Sequence, residues 1–97
     1  MDFKVNTVHF TADKKLVNFI QEKVNKLEMM SDQIISSEVY LRVDKNSDQE
    51  NKVAEVKLLM PGSELFAKKQ CKSFEEATDN AVDALKKQIE KYKAKVA

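Results

Sequence analysis

Two stretches in the middle of the chain alternate strictly, and this constrains the fold more than any other feature. In SSEVYLRVDK (36–45), Val39, Leu41 and Val43 point one way, while Glu38, Tyr40, Arg42 and Asp44 point the other. In NKVAEVKLLM (51–60), Ala54, Val56, Leu58 and Met60 oppose Val53, Glu55, Lys57 and Leu59. A period of two belongs to a strand, and a polar side on each strand means one face meets water. Joined by the polar turn NSDQE (46–50), the stretches read as an antiparallel pair. The rest of the chain has to cover the apolar face of that pair.

The only Pro and only Gly stand together in PGS (61–63), a turn pair by backbone chemistry. ELFAKKQCK (64–72) then reads as a weaker strand with Leu65, Ala67 and Cys71 inward. Lys69 breaks its alternation, which points to a bulge, an edge position or a short strand. DFKVNTVHF (2–10) reads as a further strand, with Phe3 and Val5 on one face.

Helical spacing governs the remaining segments. In 11–30, Leu16, Ile20, Val24 and Leu27 form a stripe flanked by Phe19, and either Thr11 or Asp13 can cap the helix. In 73–96, Phe74, Val82, Leu85, Ile89, Tyr92 and Val96 fall on one side, and Ser73 with Glu76 spells a capping box. The order is therefore β-α-β-β-β-α. Each helix has one apolar stripe and each strand one apolar face. The expectation is an α+β two-layer sandwich: a four-stranded antiparallel sheet with both helices on one face.

With 97 residues, 42% of them apolar, the chain reads as a single domain, 1–97, around one modest core. A lone cysteine, Cys71, allows no internal disulfide, and no apolar run approaches the length of a membrane span. The N-terminal residues are polar, so the expectation is a cytoplasmic protein. His9 has no evident partner, and Cys71 has no histidine that belongs with it. One histidine and one cysteine cannot build a Cys/His zinc site, and one glycine cannot make a phosphate loop. Carboxylates such as Glu75 and Asp79 read as solvation of an exposed helix face. No catalytic constellation, metal site, cofactor or small-molecule substrate is expected.

Net charge is only +1, but its distribution is uneven. Residues 73–83 hold Glu75, Glu76, Asp79 and Asp83 and no base, whereas 84–97 hold Lys86, Lys87, Lys91, Lys93 and Lys95 against Glu90 alone. Lys87, Lys91 and Lys95 form an i, i+4, i+8 row, with Lys86 and Lys93 flanking the apolar stripe. Lys15, Lys23 and Lys26 lie toward one edge of the first helix's stripe. Two readings stand: a solvated helix end whose lysines suit the macrodipole, or a surface that attracts phosphates through counterion release.

Three segments carry a resemblance. FIQEKVNKLEMMSDQI (19–34) has an F-x3-K-x2-KLE pattern, SEVYLRVDK (37–45) matches a strand, and SFEEATDNAVDALKKQIEKYKAK (73–95) contains D-x-L-x-x-Q-[LI]-x-K-[YH]-K-x-K. The chain thereby resembles the short ribosome hibernation-promoting factors, the family that also contains the ribosome-associated inhibitor of stationary phase. The resemblance implies a fold like a double-stranded-RNA-binding domain. It also implies binding to the small ribosomal subunit between head and body, over the mRNA path and the tRNA A and P sites, so that translation is inhibited under stress or in stationary phase. By the same resemblance, rRNA contacts fall on Lys23 and Lys26 of the first helix and on Lys87, Lys91, Lys93 and Lys95 of the second, with Lys86 beside them. Ala84 stands where relatives often carry a base, and Lys68, Lys69 and Lys72 stand where relatives are often acidic or neutral. By the same resemblance the expectation is a short member, without the extra C-terminal domain by which long members pair two ribosomes. A monomer without membrane contact is expected. A general structured-RNA binder and a protein–protein adaptor using the sheet face are the alternatives.

Overall fold

A computed structural model describes residues 2–8, 10–46 and 49–96, with Lys95 and Val96 described by their backbone alone. The reading of His9 lies outside the described residues. The elements are β1 (Asp2–Thr7), α1 (Lys14–Glu28), β2 (Ser36–Val43), β3 (Lys52–Met60), β4 (Ser63–Cys71) and α2 (Phe74–Val96). The strands form one sheet in the order β1-β2-β3-β4. β2 with β3 and β3 with β4 are antiparallel, but β1 with β2 is parallel, so the sheet is mixed rather than antiparallel. The reason is α1, which carries the chain back to the edge where β1 began, so that β2 enters in the same direction.

The local chemistry explains the boundaries. Asp13, not Thr11, caps α1: its Oδ1 accepts the Leu16 N–H at 2.8 Å. Ser73 Oγ accepts the Glu76 N–H at 3.1 Å, one half of the expected capping box. Pro61 and Gly62 join β3 to β4, and Gly62 takes φ 70, a conformation that side chains with a Cβ rarely adopt. β1 ends at Thr7, short of the expected strand, although the Val8 N–H still donates to the Leu41 carbonyl at 3.0 Å.

The predicted faces meet in one core. Val39, Leu41, Ala54, Val56, Leu58, Met60, Ala67 and Cys71 from the sheet pack with Ile20, Val24 and Leu27 of α1, and with Phe74, Val82, Leu85 and Ile89 of α2. Both helices therefore cover one face. Burying each larger side chain contributes about 1.5–3 kcal/mol. Val43 departs from expectation: it shares the inward parity of Val39 and Leu41 but lies exposed at the strand's end. β4 is an edge strand, and its register with β3 runs unbroken from Lys52↔Cys71 to Met60↔Ser63, so Lys69 marks an edge rather than a bulge.

Candidate nucleic-acid interface

The two helices advance together. Phe10, just before α1, stacks on Phe74 at the start of α2, with ring centroids 5.0 Å apart. Midway, Lys23 Nζ lies 2.9 Å from Asp79 Oδ1. At the far end, a shallow groove is lined by residues 28–33 together with Tyr92 and Lys93. Both C-termini thus sit at one end of the molecule. The negative ends of two helix dipoles meet there, and Lys26 in the last turn of α1 and the lysines of α2 offset them.

The contacts of α2 fix which way each predicted lysine faces. Asp79 looks toward α1, and Lys86 and Lys93 follow it at near-integral turns on the same flank. Lys26 extends the flank of α1 that carries Lys23. Lys23, Lys26, Lys86 and Lys93 therefore border the α1–α2 groove. On the other flank, Asn80 Nδ2 donates to Cys71 Sγ at 3.3 Å and Gln88 Nε2 donates to the Phe66 carbonyl at 2.8 Å, so this flank faces β4. Lys91 joins that flank, in a shallow hollow with Ser63, Leu65, Gln88 and Tyr92. Lys87 occupies the outer ridge between the flanks. The side chain of Lys95 lies outside the described residues.

The predicted lysines are not equivalent. Lys26, Lys87, Lys91 and Lys93 are exposed and, among the described residues, form no ion pair. Lys86 is half-buried and lies 3.8 Å from Asp83 one turn back. Lys23 is held by Asp79, and its Nζ sits 5.5 Å from the centroid of the Phe19 ring. Lys23 thus ties the helices together as well as bordering the groove. Asp79, read from sequence as solvation, is a structural partner. No local spacing could have revealed it, because its lysine lies on another helix.

The opposite, open face of the sheet carries charge of another kind. Register places Glu38 beside Lys57, Tyr40 beside Glu55, and Glu55 beside Lys68. Glu55 lies 3.9 Å from both Arg42 and Lys68, and Lys57 lies 3.9 Å from Glu64. The Tyr40 hydroxyl donates to Glu38, and this bond, which requires the neutral phenol, raises its pKa above 10.0. Gln70 crosses the face, donating to Asp44 Oδ2 at 3.0 Å and to the Glu50 carbonyl at 2.7 Å. The Asn46 N–H and then Gln70 favour the Asp44 carboxylate and hold its pKa below 3.8. No helix of the described residues is long and apolar enough to cross a membrane.

A family model described as Sigma 54 modulation protein / S30EA ribosomal protein matches residues 3–97. The chain belongs to this family. A ribosome hibernation promotion factor of Deinococcus radiodurans is 33% identical over 79 residues, 79% of this chain; the chain spans 41% of that protein's length. A ribosome hibernation promoting factor of Pseudomonas putida is 28% identical over 95 residues, covering 98% of this chain and 89% of the relative. Among solved structures, a ribosomal subunit interface protein from Coxiella burnetii superposes with a TM-score of 0.87, over 97% of this chain and 99% of that one. The N-terminal domain of Thermus thermophilus Protein Y gives 0.81, over 95% and 99%. Both are 19% identical to this chain, so they establish the shared β-α-β-β-β-α fold.

Proposed function

We propose that the protein is a ribosome hibernation factor. In this reading it binds the small ribosomal subunit, occupies the mRNA path and the tRNA A and P sites, and lowers translation under stress or in stationary phase. The observation that carries the reading is the set of exposed lysines Lys26, Lys87, Lys91 and Lys93, without an ion pair among the described residues, on the C-terminal halves of the two helices of a family-matched fold. The names of the hibernation factors and of the subunit interface protein support it. Lysines engage phosphates as point charges and carry no base code, which suits a protein that recognises folded rRNA by shape. Lys23 and Lys86 add charge to the same groove, and Lys95 continues the row of Lys91. The protein acts by occupancy rather than catalysis, works in the cytoplasm, and is a monomer when free.

The test is co-sedimentation with small subunits across a salt series, followed by measurement of initiator-tRNA occupancy at saturation. The protein should pellet with small subunits, leave them as salt rises, and reduce tRNA occupancy without modifying RNA. Migration with large subunits alone, or unchanged tRNA occupancy, would refute the mechanism. Equal affinity for a free RNA duplex would favour a general structured-RNA binder.

A further inference from the structure

We propose that the β4 edge is a second phosphate-contacting face, formed by Lys69 and Lys72 together with Lys87 and Lys91, and that its ligand is the sugar–phosphate backbone of RNA. This rests on the reading of the protein as an rRNA binder.

Lys69 is the pointer. The unbroken register puts it opposite Ala54 on the helix-facing side of β4, where an apolar residue would ordinarily be buried, yet it is exposed. The contacts Asn80–Cys71 and Gln88–Phe66 bracket it, and Ala84 is the residue of α2 on that flank between them. Ala84 is half-buried against the core and ends in a methyl, which leaves the flank low enough for the Lys69 stem to emerge beside α2. Lys72 follows at the end of the strand, and Lys87 and Lys91 flank the edge from the helix. All four are exposed and, among the described residues, have no acidic partner. Glu90 is the acid nearest to Lys87 and Lys91, and it forms no ion pair with either among the described residues; the acids near Lys69 and Lys72 are committed elsewhere or point away. Glu64 pairs with Lys57 on the open face, Asp83 with Lys86 toward α1, and Glu76 lies in the first turn of α2. Lys68 belongs to the open face, where Glu55 holds it.

The shape of the strip selects the ligand. From Leu65 to Cys71 it runs about 20 Å at the ~3.3 Å rise of a strand, with Lys72 just beyond. It offers a row of point charges, with a shallow hollow beside Leu65 and Tyr92 at its Lys91 end, which suits a repeating polyanion. An extended peptide adding to the edge would need the free backbone groups of β4, and Gln88 already engages the Phe66 carbonyl. The body of α2, about 10 Å across with Lys87 on its ridge, separates Lys69 and Lys72 from the α1–α2 groove, so these two lysines touch different phosphates from Lys26 and Lys93.

The experiment compares the full chain with its Lys69→Gln/Lys72→Gln variant in small-subunit pelleting over a salt series, with hydroxyl-radical footprinting of the rRNA. Both side chains are exposed, so the melting curve should be unchanged. Affinity should fall about tenfold at low salt, and the log–log salt slope should lessen by about 1.5, the loss of two contacts. Lys68→Gln should bind like the wild type. The protections lost should differ from those lost in Lys26→Gln/Lys93→Gln. An unaltered affinity and slope in the double variant, beside a wild type that pellets, would remove the second face alone. Weaker binding with an unchanged slope would mean a protein rather than a phosphate contact, and coincident footprints would mean one face rather than two; either overturns the proposal. A wild type that does not pellet would sink the hibernation reading and the second face with it.

Discussion

The open face of the sheet and the C-terminal half of α2 are both densely charged, but their charges have different neighbours. On the open face Arg42, Glu55 and Lys68 form a chain, Lys57 meets Glu64, and Gln70 clasps Asp44. On α2, Lys87, Lys91 and Lys93 stand exposed, with no ion pair among the described residues. Two-stranded register forces the first pattern, because cross-strand neighbours of opposite sign are stabilising and like charges are not. A helix end lets lysines project past their neighbours, where only the dipole and solvent meet them. Charge matched within the molecule leaves little field outside it, whereas unmatched charge remains available to a polyanion.

The largest test of this contrast reverses the unmatched set. Lys87→Glu, Lys91→Glu, Lys93→Glu and Lys95→Glu together should reduce small-subunit affinity by about a thousandfold or more, since several attractions become repulsions. Each new acid near the helix C-terminus costs about 0.3–1 kcal/mol, so circular dichroism should still show a folded protein with a lower melting temperature. Lys57→Gln with Lys68→Gln, which alters the matched face, should leave pelleting nearly unchanged and cost at most about 1 kcal/mol per pair. Reversal of Lys45 and Lys52, beside the β2–β3 turn, should also bind better than the helix variant. Equal losses from all three variants would abolish the distinction between the faces.

Gln70→Ala breaks the matched face itself. It removes the bonds to Asp44 and Glu50 and should lower the midpoint of chemical denaturation slightly, because both bonds are exposed to water. The acid side of the stability profile should respond as well. Asp44 has a depressed pKa in the folded state, so its contribution is present above its unfolded value of 3.8 and is lost as pH falls through the folded value. Without Gln70 the folded pKa lies closer to 3.8, so that loss should be smaller and complete at a higher pH. A profile identical to wild type would mean that Gln70 does not hold this corner.

A third test lies beneath α2. Thr78 is fully buried, and its Oγ1 has no hydrogen-bond partner among the described residues. Thr78→Val keeps the shape and removes the unsatisfied hydroxyl, so it should stabilise the protein by about 1 kcal/mol without altering ribosome binding. A drop in melting temperature would show that the hydroxyl is satisfied in solution. The smallest effect is expected from Asp79→Asn, which releases Lys23 from its ion pair. Pelleting affinity should rise by about threefold, the weight of one freed phosphate contact at moderate salt, with a stability loss below about 1 kcal/mol. Weaker binding would mean that Asp79 positions Lys23 for the RNA rather than withholding it.

Much of the architecture is legible in the chain. The alternation in β2 and β3, the stripe Ile20–Val24–Leu27 and the stripe Val82–Leu85–Ile89 each give a face, and those faces are the core. Ser73 and the Pro61–Gly62 pair mark a helix start and a turn because their backbone chemistry is local. The candidate site is legible as a list of lysines but not as an arrangement. Sequence spacing puts Lys87, Lys91 and Lys95 in one row, yet it does not say that Lys86 and Lys93 turn toward α1 while Lys91 turns toward β4.

By itself, then, the sequence determines which residues are apolar on which side of each element, where the elements begin, and that positive charge gathers at the end of α2. These are properties of neighbours three, four or two positions apart, and periodicity records them. Tertiary structure decides who the distant neighbours are. It makes β1 parallel to β2, because a helix intervenes between them. It gives Lys23 to Asp79 and leaves Lys93 without an ion pair among the described residues, because the helices lie side by side with their starts together. It exposes Lys69 although its cross-strand partner Ala54 is buried, because β4 is the last strand of the sheet. The common reason is that an ion pair or a buried contact depends on distance in space, and a one-dimensional pattern carries no distance between separate elements.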